Sequence, residues 1–326
     1  MPDTPLPRLR FAHLPTPIEP LPRLSAALGG PALWAKRDDQ TGLAFGGNKT
    51  RKLEYLLAEA QSHGGRTLVT TGARQSNHCR QTAAAAARFG FGCILVLAGS
   101  RPEGTTGNLL LDSLLGAELV WTEGEDRQVC LQRTFDKAWS DGRRPYLIPY
   151  GGSSPLGAAA YAQGMAEFLS QGQDVDRIVF ATSSGGTQAG LVAGARIHGF
   201  GGRVTGISVD EPAEALRAKV ASLAGETASL LGHSLKFEAG EIEVDDRYLG
   251  DGYGVMGERE REAIELFARA EGLLLDPVYT GRAAGGLIDM VRRGEIGRQE
   301  RVLFWHTGGT PALFAYADRL APPDRG

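Results

Sequence analysis

Short β-branched or apolar runs alternate with longer stretches of helical period along most of the chain, and this alternation limits the fold more than any single motif does. Residues 67–71, 93–97 and 118–121 read as strands, and residues 77–89 and 108–115 between them read as helices. Such βαβαβ spacing predicts a parallel sheet covered by helices on both faces. The pattern recurs at 177–181, 187–197 and 204–209, and again at 302–305 followed by a helix over 310–319. At 326 residues, with roughly 150 per domain, the chain has room for about two compact units. Gly151-Gly152-Ser153-Ser154-Pro155 interrupts the middle, as a crossing between lobes or as one more strand-to-helix loop. The expectation is an α/β chain of two lobes, each a mostly parallel sheet flanked by helices, with a smaller α/β domain over 50–165 and a larger one made of 1–49 and 166–326.

Composition narrows the ligand. The formal net charge is −3 and no long like-charged block occurs, so the electrostatic footprint of a nucleic-acid or membrane-surface binder is missing. The longest apolar stretches, such as 93–98, fall far short of the ~18 residues of a membrane helix. The opening MPDTPLPRLRF lacks a signal-peptide layout, and Cys79, Cys93 and Cys130 have no metal-ligand spacing. A cytoplasmic protein with a small-molecule ligand and no metal is expected. Glycine contributes 45 residues, about twice the usual ~7%, which suits turns that approach a ligand closely. The Pro-, Asp- and Arg-rich last residues are expected to be loose.

In sheets of this kind ligands sit beyond the carboxyl ends of strands, where helix N-termini and glycine turns offer free N–H donors. Four such turns stand out, at 46–52, 72–77, 182–187 and 306–310. Lys49 follows Gly46-Gly47-Asn48 and opens a helix whose Leu53, Leu56, Leu57 and Ala60 recur at i, i+3, i+4 and i+7. In that first turn the helix dipole, Arg51 and Lys52 are expected to depress the ammonium pKa, as a Schiff-base lysine requires; a solvated basic turn is the plain alternative. Residues 183–187 follow an apolar strand and precede an Ala/Gly-rich helix, so their N–H groups and hydroxyls can converge on a phosphate. The segment has neither the Gly-Lys-Ser/Thr nor the G-x-G-x-x-G of nucleotide loops, and tight packing alone would also explain it. Gln75-Ser76-Asn77 ends a strand-to-helix turn in which Ser76 or Asn77 serves as N-cap and the others could hold ligand oxygens. Tyr279 follows Asp276-Pro277-Val278, and Tyr253 lies between two glycines, although an isolated buried tyrosine is more often core. His78, His306 and Cys79 read as neighbours of the site.

Taken together, these segments resemble the fold-type II (tryptophan synthase β-like) pyridoxal-phosphate enzymes, and within them the D-cysteine desulfhydrase and 1-aminocyclopropane-1-carboxylate (ACC) deaminase family. The resemblance runs through Pro15-Thr16-Pro17, Lys36-Arg37-Asp38-Asp39, GGNKTRKLEYL at 46–56, QSNHCRQTAA at 75–84, SSGGTQAG at 183–190, LLLDPVYTGRAAGGLID at 273–289 and HTGG at 306–309. It implies pyridoxal 5'-phosphate as cofactor, held chiefly by the larger lobe, and a homodimer. It further implies that Lys49 carries the cofactor covalently and shuttles the proton, and that Lys52 with Ser184, Gly185, Gly186 and Thr187 holds the phosphate. Asn77 would meet the cofactor's ring hydroxyl and border the substrate, Ser76 and Gln75 the substrate carboxylate, Tyr253 and Tyr279 the reacting face, and Thr307 the pyridine nitrogen. A hydroxyl rather than a carboxylate at that nitrogen favours β-elimination over transamination. Three positions depart from the family pattern: Thr280 stands where ACC deaminases carry glutamate, Arg282 where a lysine is usual, and Cys79 where a small apolar residue is usual. The activity implied is a carbon–sulfur lyase converting D-cysteine to pyruvate, sulfide and ammonia. The alternatives are an L-cysteate sulfo-lyase releasing sulfite, an ACC deaminase, a non-catalytic pyridoxal-phosphate-binding protein and, if Lys49 is only a surface turn, a nucleotide-binding α/β protein.

Overall fold

The computed structural model describes residues 6–320. In chain order, β1 (Ile18–Pro20), α1 (Pro22–Leu28) and β2 (Ala32–Lys36) precede α2 (Asn48–Ser62). Then come β3 (Thr67–Gly72), α3 (Asn77–Phe89), β4 (Gly92–Leu97), α4 (Asn108–Leu114), β5 (Glu118–Trp121), α5 (Arg127–Ser140) and β6 (Pro145–Leu147). The chain continues through α6 (Pro155–Ser170), β7 (Arg177–Thr182), α7 (Gly186–His198), β8 (Arg203–Ser208), α8 (Ala213–Leu230), β9 (Glu243–Asp245), α9 (Glu258–Glu271), α10 (Thr280–Arg292) and β10 (Arg301–Trp305).

Among the described residues the strands form two sheets. The first runs β5-β4-β3-β6 and is parallel throughout, and the second runs β1-β2-β10-β7-β8-β9 and is parallel except for the antiparallel edge strand β1. The last strand, β10, is therefore inserted between β2 and β7, two strands laid down far earlier. Both faces of each sheet are covered, so side chains of either parity along a strand are apolar. In β4, Cys93, Leu95 and Leu97 meet Leu53, Leu56 and Leu57 of α2 and Ala83 and Ala86 of α3, while Ile94 and Val96 meet Cys130, Leu131 and Ala138 of α5. In β10, Val302 and Phe304 face Phe267 of α9 and Leu287 of α10, while Leu303 and Trp305 face Tyr161 and Phe168 of α6.

The strands and helices expected from the alternation are present to within a residue, apart from one. The helix expected over 310–319 is broken into Thr310–Leu313, a 3-10 turn Phe314–Tyr316, and Ala317–Leu320. Only Pro311 and Ala312 are buried there, and the Tyr316 hydroxyl donates to the Gly254 carbonyl at 2.7 Å, so no continuous apolar stripe sustains the helix. The expectation of a loose carboxyl end lies outside the described residues. Gly151–Pro155 is a strand-to-helix loop between β6 and α6, and α6 packs on α7, α8 and α2. Among the described residues no helix is long and apolar enough to cross a membrane.

Helix α2 is buried all round. Its apolar stripe serves the four-stranded sheet, and the opposite face carries Arg51, whose guanidinium donates to both Asp38 oxygens (2.9 and 2.8 Å) and both Glu167 oxygens (2.8 Å each). Asp38 also accepts from Thr16 Oγ1 at 2.9 Å and from the Tyr161 hydroxyl at 2.6 Å. Burial drives the Asp38 pKa up, but the Arg51 charge and the donated hydrogen bonds outweigh it and hold the carboxyl at about 2, below its ordinary 3.8. A carboxylate depressed in this way contributes stability that is present above pH ~4 and is lost as pH falls toward 2. Asp38→Asn is expected to lower the unfolding free energy at neutral pH by about 3 kcal/mol, because it strands part of a buried guanidinium. Denaturant melts between pH 7 and 2 should also show a shallower acid loss in the variant than in the wild type.

Candidate active site

Three glycine turns converge on the first residues of α2. At Gly47, φ is +122°, and a Cβ there would come within 2.5 Å of Gln81 Nε2. A Cβ on Gly308 would lie 2.7 Å from Gly47 Cα, so the turn after β10 can abut the turn before α2 only if both are glycine. Asn48 then joins all three turns, its backbone N–H donating to the Thr307 carbonyl at 2.9 Å and its Nδ2 to Thr187 Oγ1 at 3.0 Å.

Lys49, the next residue, points into a cleft of about 590 Å³. Ser183, Ser184, Gly185 and Thr187 line it from the β7–α7 turn and Thr307 from beyond β10; Ser76, Asn77 and His78 line it from the start of α3, and Tyr279 from the start of α10. The surrounding protein desolvates the Lys49 ammonium and lowers its pKa from 10.5 to about 8, with the Asp210 carboxylate pulling the other way. This corrects the electrostatic expectation. Arg51 is turned away from Lys49 and neutralised by Asp38 and Glu167, and burial, not like charge, depresses the amine. Lys36, the other buried lysine beside α2, donates to Thr16 O, Glu167 Oε1 and Gln171 Oε1 at 2.8, 2.6 and 2.5 Å and has no proton left for chemistry.

Lys52, one turn along α2, is wholly buried, and its Nζ meets only the Gly151 carbonyl, at 3.1 Å. Desolvation and the neighbouring Lys49 hold its pKa well below the ordinary lysine value. A Cβ on Gly186 would sit 2.9 Å from that Nζ and 2.5 Å from Ser153 Oγ, so only glycine leaves the space between them open. Ser153 Oγ accepts from the Gly186 N–H at 3.1 Å and shares a 2.8 Å hydrogen bond with Ser184 Oγ. Thr187 Oγ1, already accepting from Asn48, keeps its own proton for a ligand. An uncompensated ammonium, an α-helix N-terminus and three hydroxyls around a space that a methyl group would fill are the donor set of a phosphate group, and a free amine lies alongside at Lys49. The residues present therefore fit pyridoxal phosphate.

Not every expected residue reaches the cleft. Ser76 lines it and also caps α3, accepting from the Cys79 N–H at 3.2 Å. Asn77 lines it with Oδ1 held by Asn108 Nδ2 at 2.8 Å, which leaves the Asn77 amide hydrogens free. Gln75 does not line it, because its Nε2 donates to the Thr106 carbonyl at 2.9 Å and its Oε1 accepts from the Asn108 N–H at 2.8 Å. Tyr253 stands behind Tyr279, their hydroxyls 2.6 Å apart. His78 is buried with Nε2 2.9 Å from Thr70 Oγ1; burial first, then Lys49 and Lys52, push its pKa well down and keep it neutral. Burial pushes the Cys79 thiol well up, which makes it a poor nucleophile. Sequence reasoning missed Tyr150 and Ser153, both from the loop after β6. The signal available was the Gly151-Gly152 pair between a strand and a helix, a mark shared with the turns at Gly46-Gly47, Gly185-Gly186 and Gly308-Gly309.

The model of the family described as "Pyridoxal-phosphate dependent enzyme" matches residues 9–308. The D-cysteine desulfhydrase of Salmonella typhimurium is 42% identical over 324 residues, spanning 96% of this chain and 97% of that one. The crystal structure of an ACC deaminase homologue has a TM-score of 0.90 at 40% identity and covers 97% of this chain and 95% of that one. A mutant of O-ureido-L-serine synthase, at 16% identity and a TM-score of 0.65 over 95% of this chain and 92% of that one, shares the fold. Family match, relatives and the donor set around Lys49 and Lys52 agree, and the chain belongs to the pyridoxal-phosphate-dependent enzymes.

Proposed function

We propose that the enzyme is a carbon–sulfur lyase that eliminates the β-thiol of D-cysteine to give pyruvate, sulfide and ammonia. The observation that carries the choice of reaction is the orientation of Thr280. Its hydroxyl donates to Asp276 Oδ1 at 2.8 Å and accepts from the Asp276 N–H at 2.8 Å, so it closes the turn before α10 and offers nothing to the cleft. No carboxylate lines the cleft among the described residues. Opening a cyclopropane ring that has no α-proton calls for such additional help, whereas a thiol leaves as a stable anion once the α-proton is gone.

When bound, pyridoxal phosphate supplies an electron sink that acidifies the α-proton of an amino acid joined to it. Lys49 would hold the cofactor and, as an amine whose pKa desolvation lowers to about 8, would remove that proton. Lys52, Ser184, Gly185, Gly186 and Thr187 would bind the phosphate. Asn77, its amide oriented by Asn108, would donate to the ring hydroxyl, and Thr307 would meet the pyridine nitrogen. Ser76 orients the substrate carboxylate. Tyr279, its hydroxyl backed by that of Tyr253, stays protonated because burial raises its pKa, and would donate a hydrogen bond that stabilises the departing thiolate. The reading extends to a homodimer in a reducing cytoplasm, in keeping with three buried free thiols.

Three outcomes test this reading. Capture of pyridoxal phosphate by the apoprotein needs the neutral amine, so its rate should rise with pH through a midpoint near 8 and then level off, and borohydride trapping with peptide mapping should place the adduct on Lys49. An adduct on Lys52 or Lys36 refutes the assignment. Thr187→Ala removes one charge-assisted hydrogen bond worth ~1.5–3 kcal/mol, and equilibrium titration should find cofactor affinity reduced roughly ten- to a hundredfold. Steady-state kinetics should give D-cysteine a kcat/KM at least about a hundredfold above that of ACC, about 2.7 kcal/mol of transition-state preference. If L-cysteate yields sulfite while D-cysteine is inert, the substrate assignment falls and the elimination chemistry stands.

A further inference from the structure

Arg282 is wholly buried on α10, three residues past Tyr279, and none of the steps above uses it. Its guanidinium meets four acceptors on three separate pieces of chain. Nε donates to Glu260 Oε1 at 2.7 Å, Nη1 to the Val209 carbonyl at 2.9 Å, and Nη2 to the carbonyls of Gly252 and Val255 at 3.2 and 2.8 Å. Glu260 also accepts from the Gly257 N–H at 2.9 Å, where the same loop enters α9. Tyr253 lies between the two carbonyls that Nη2 holds.

Little else fixes that turn. It belongs to no helix or strand, its glycines Gly252 and Gly254 sit at φ +120° and +75°, and its internal backbone hydrogen bonds, Gly252 N–H to Leu249 O and Val255 N–H to Gly252 O, are both long at 3.3 Å. Outside it, the Tyr316 hydroxyl holds the Gly254 carbonyl at 2.7 Å. A planar guanidinium with five N–H groups in fixed directions can serve acceptors on three sides at once, which one ammonium cannot. Arg282 itself is wholly buried, so its N–H groups have these acceptors in place of water.

We infer that Arg282 is a positioning residue: by clamping the Gly252–Val255 turn to α10 and to the end of β8, it keeps the Tyr253 hydroxyl on that of Tyr279 and so sets where the hydrogen-bond donor to the leaving group is held. This rests on the role given to the tyrosine pair above, and the test separates the two. In the holoenzyme, Arg282→Lys, Tyr253→Phe and the double variant form a cycle read by turnover, with amide hydrogen exchange across 252–255 measured without substrate. Arg282→Lys is expected to lower kcat about tenfold, leave KM and cofactor affinity within about twofold, speed exchange across the turn, and add less than about twofold to the loss made by Tyr253→Phe alone. Glu260→Gln, which can keep its one oxygen as acceptor for the Gly257 N–H while removing both the charge and the acceptor facing Arg282 Nε, should give a smaller loss with the same non-additivity and serves if Arg282→Lys fails to fold. Losses that multiply in full, or wild-type exchange across 252–255, overturn the inference. Normal turnover of Arg282→Lys beside an impaired Tyr253→Phe overturns it and leaves the tyrosine reading standing. A fully active Tyr253→Phe overturns both.

Discussion

Two lysines one helical turn apart on α2 are taken out of bulk water without an acidic partner of their own, and most of the site follows from that constraint. An ammonium in such surroundings must be paired, neutralised or given up. Helix α2 meets the problem differently on its two sides. Arg51, between the two lysines in sequence, is given both carboxylates of the neighbourhood, whereas Lys49 and Lys52 respond by shifting toward the neutral amine. One shift produces a nucleophile. The other leaves a latent cation beside the N-terminus of α7, a setting that favours an anion. His78, kept neutral beside them, adds no competing cation.

Placement of these amines depends on rigid neighbours. The Arg51, Asp38 and Glu167 cluster fixes α2 against α6, and the paired glycines at Gly47 and Gly308 bring two turns into backbone contact at its N-terminus. Asn48 then locks the lysine turn to the phosphate turn and to Thr307. Lys36, buried by the same cluster, is engaged differently: burial lowers its pKa too, but its three N–H groups are all taken by Thr16, Glu167 and Gln171 and none points at the cleft.

Much of this was legible in the sequence, and the limits of legibility have physical causes. Period and turn chemistry are local, so the βαβ units, the start of α2 to within a residue and a cap for α3 at Ser76 or Asn77 could be read directly. The electrostatics of Lys49 could not, because the acids that silence Arg51 lie 13 and 116 residues from it along the chain. Gln75 carries the same amide whether it faces a ligand or, as it does, ties α4 to the turn before α3. Ser153 reaches the phosphate turn only across the junction between sheets. The interrupted helix after Gly309 shows the converse, a plausible local period that found no surface to bury against.

The position of β10 carries a consequence for how the protein is made. This strand, the last among the described residues, is hydrogen-bonded between β2 and β7, and the turn that follows it supplies Thr307 and the glycine that presses on Gly47. A nascent polypeptide can complete the four-stranded sheet while still on the ribosome, since all its strands lie within residues 67–147. The central gap in the other sheet stays open until residue 305 has emerged, so Lys49, made far earlier, has no complete pocket until then. Cofactor loading must therefore wait for β10, and a partial chain that lacks this strand leaves the interior of the six-stranded sheet unpaired.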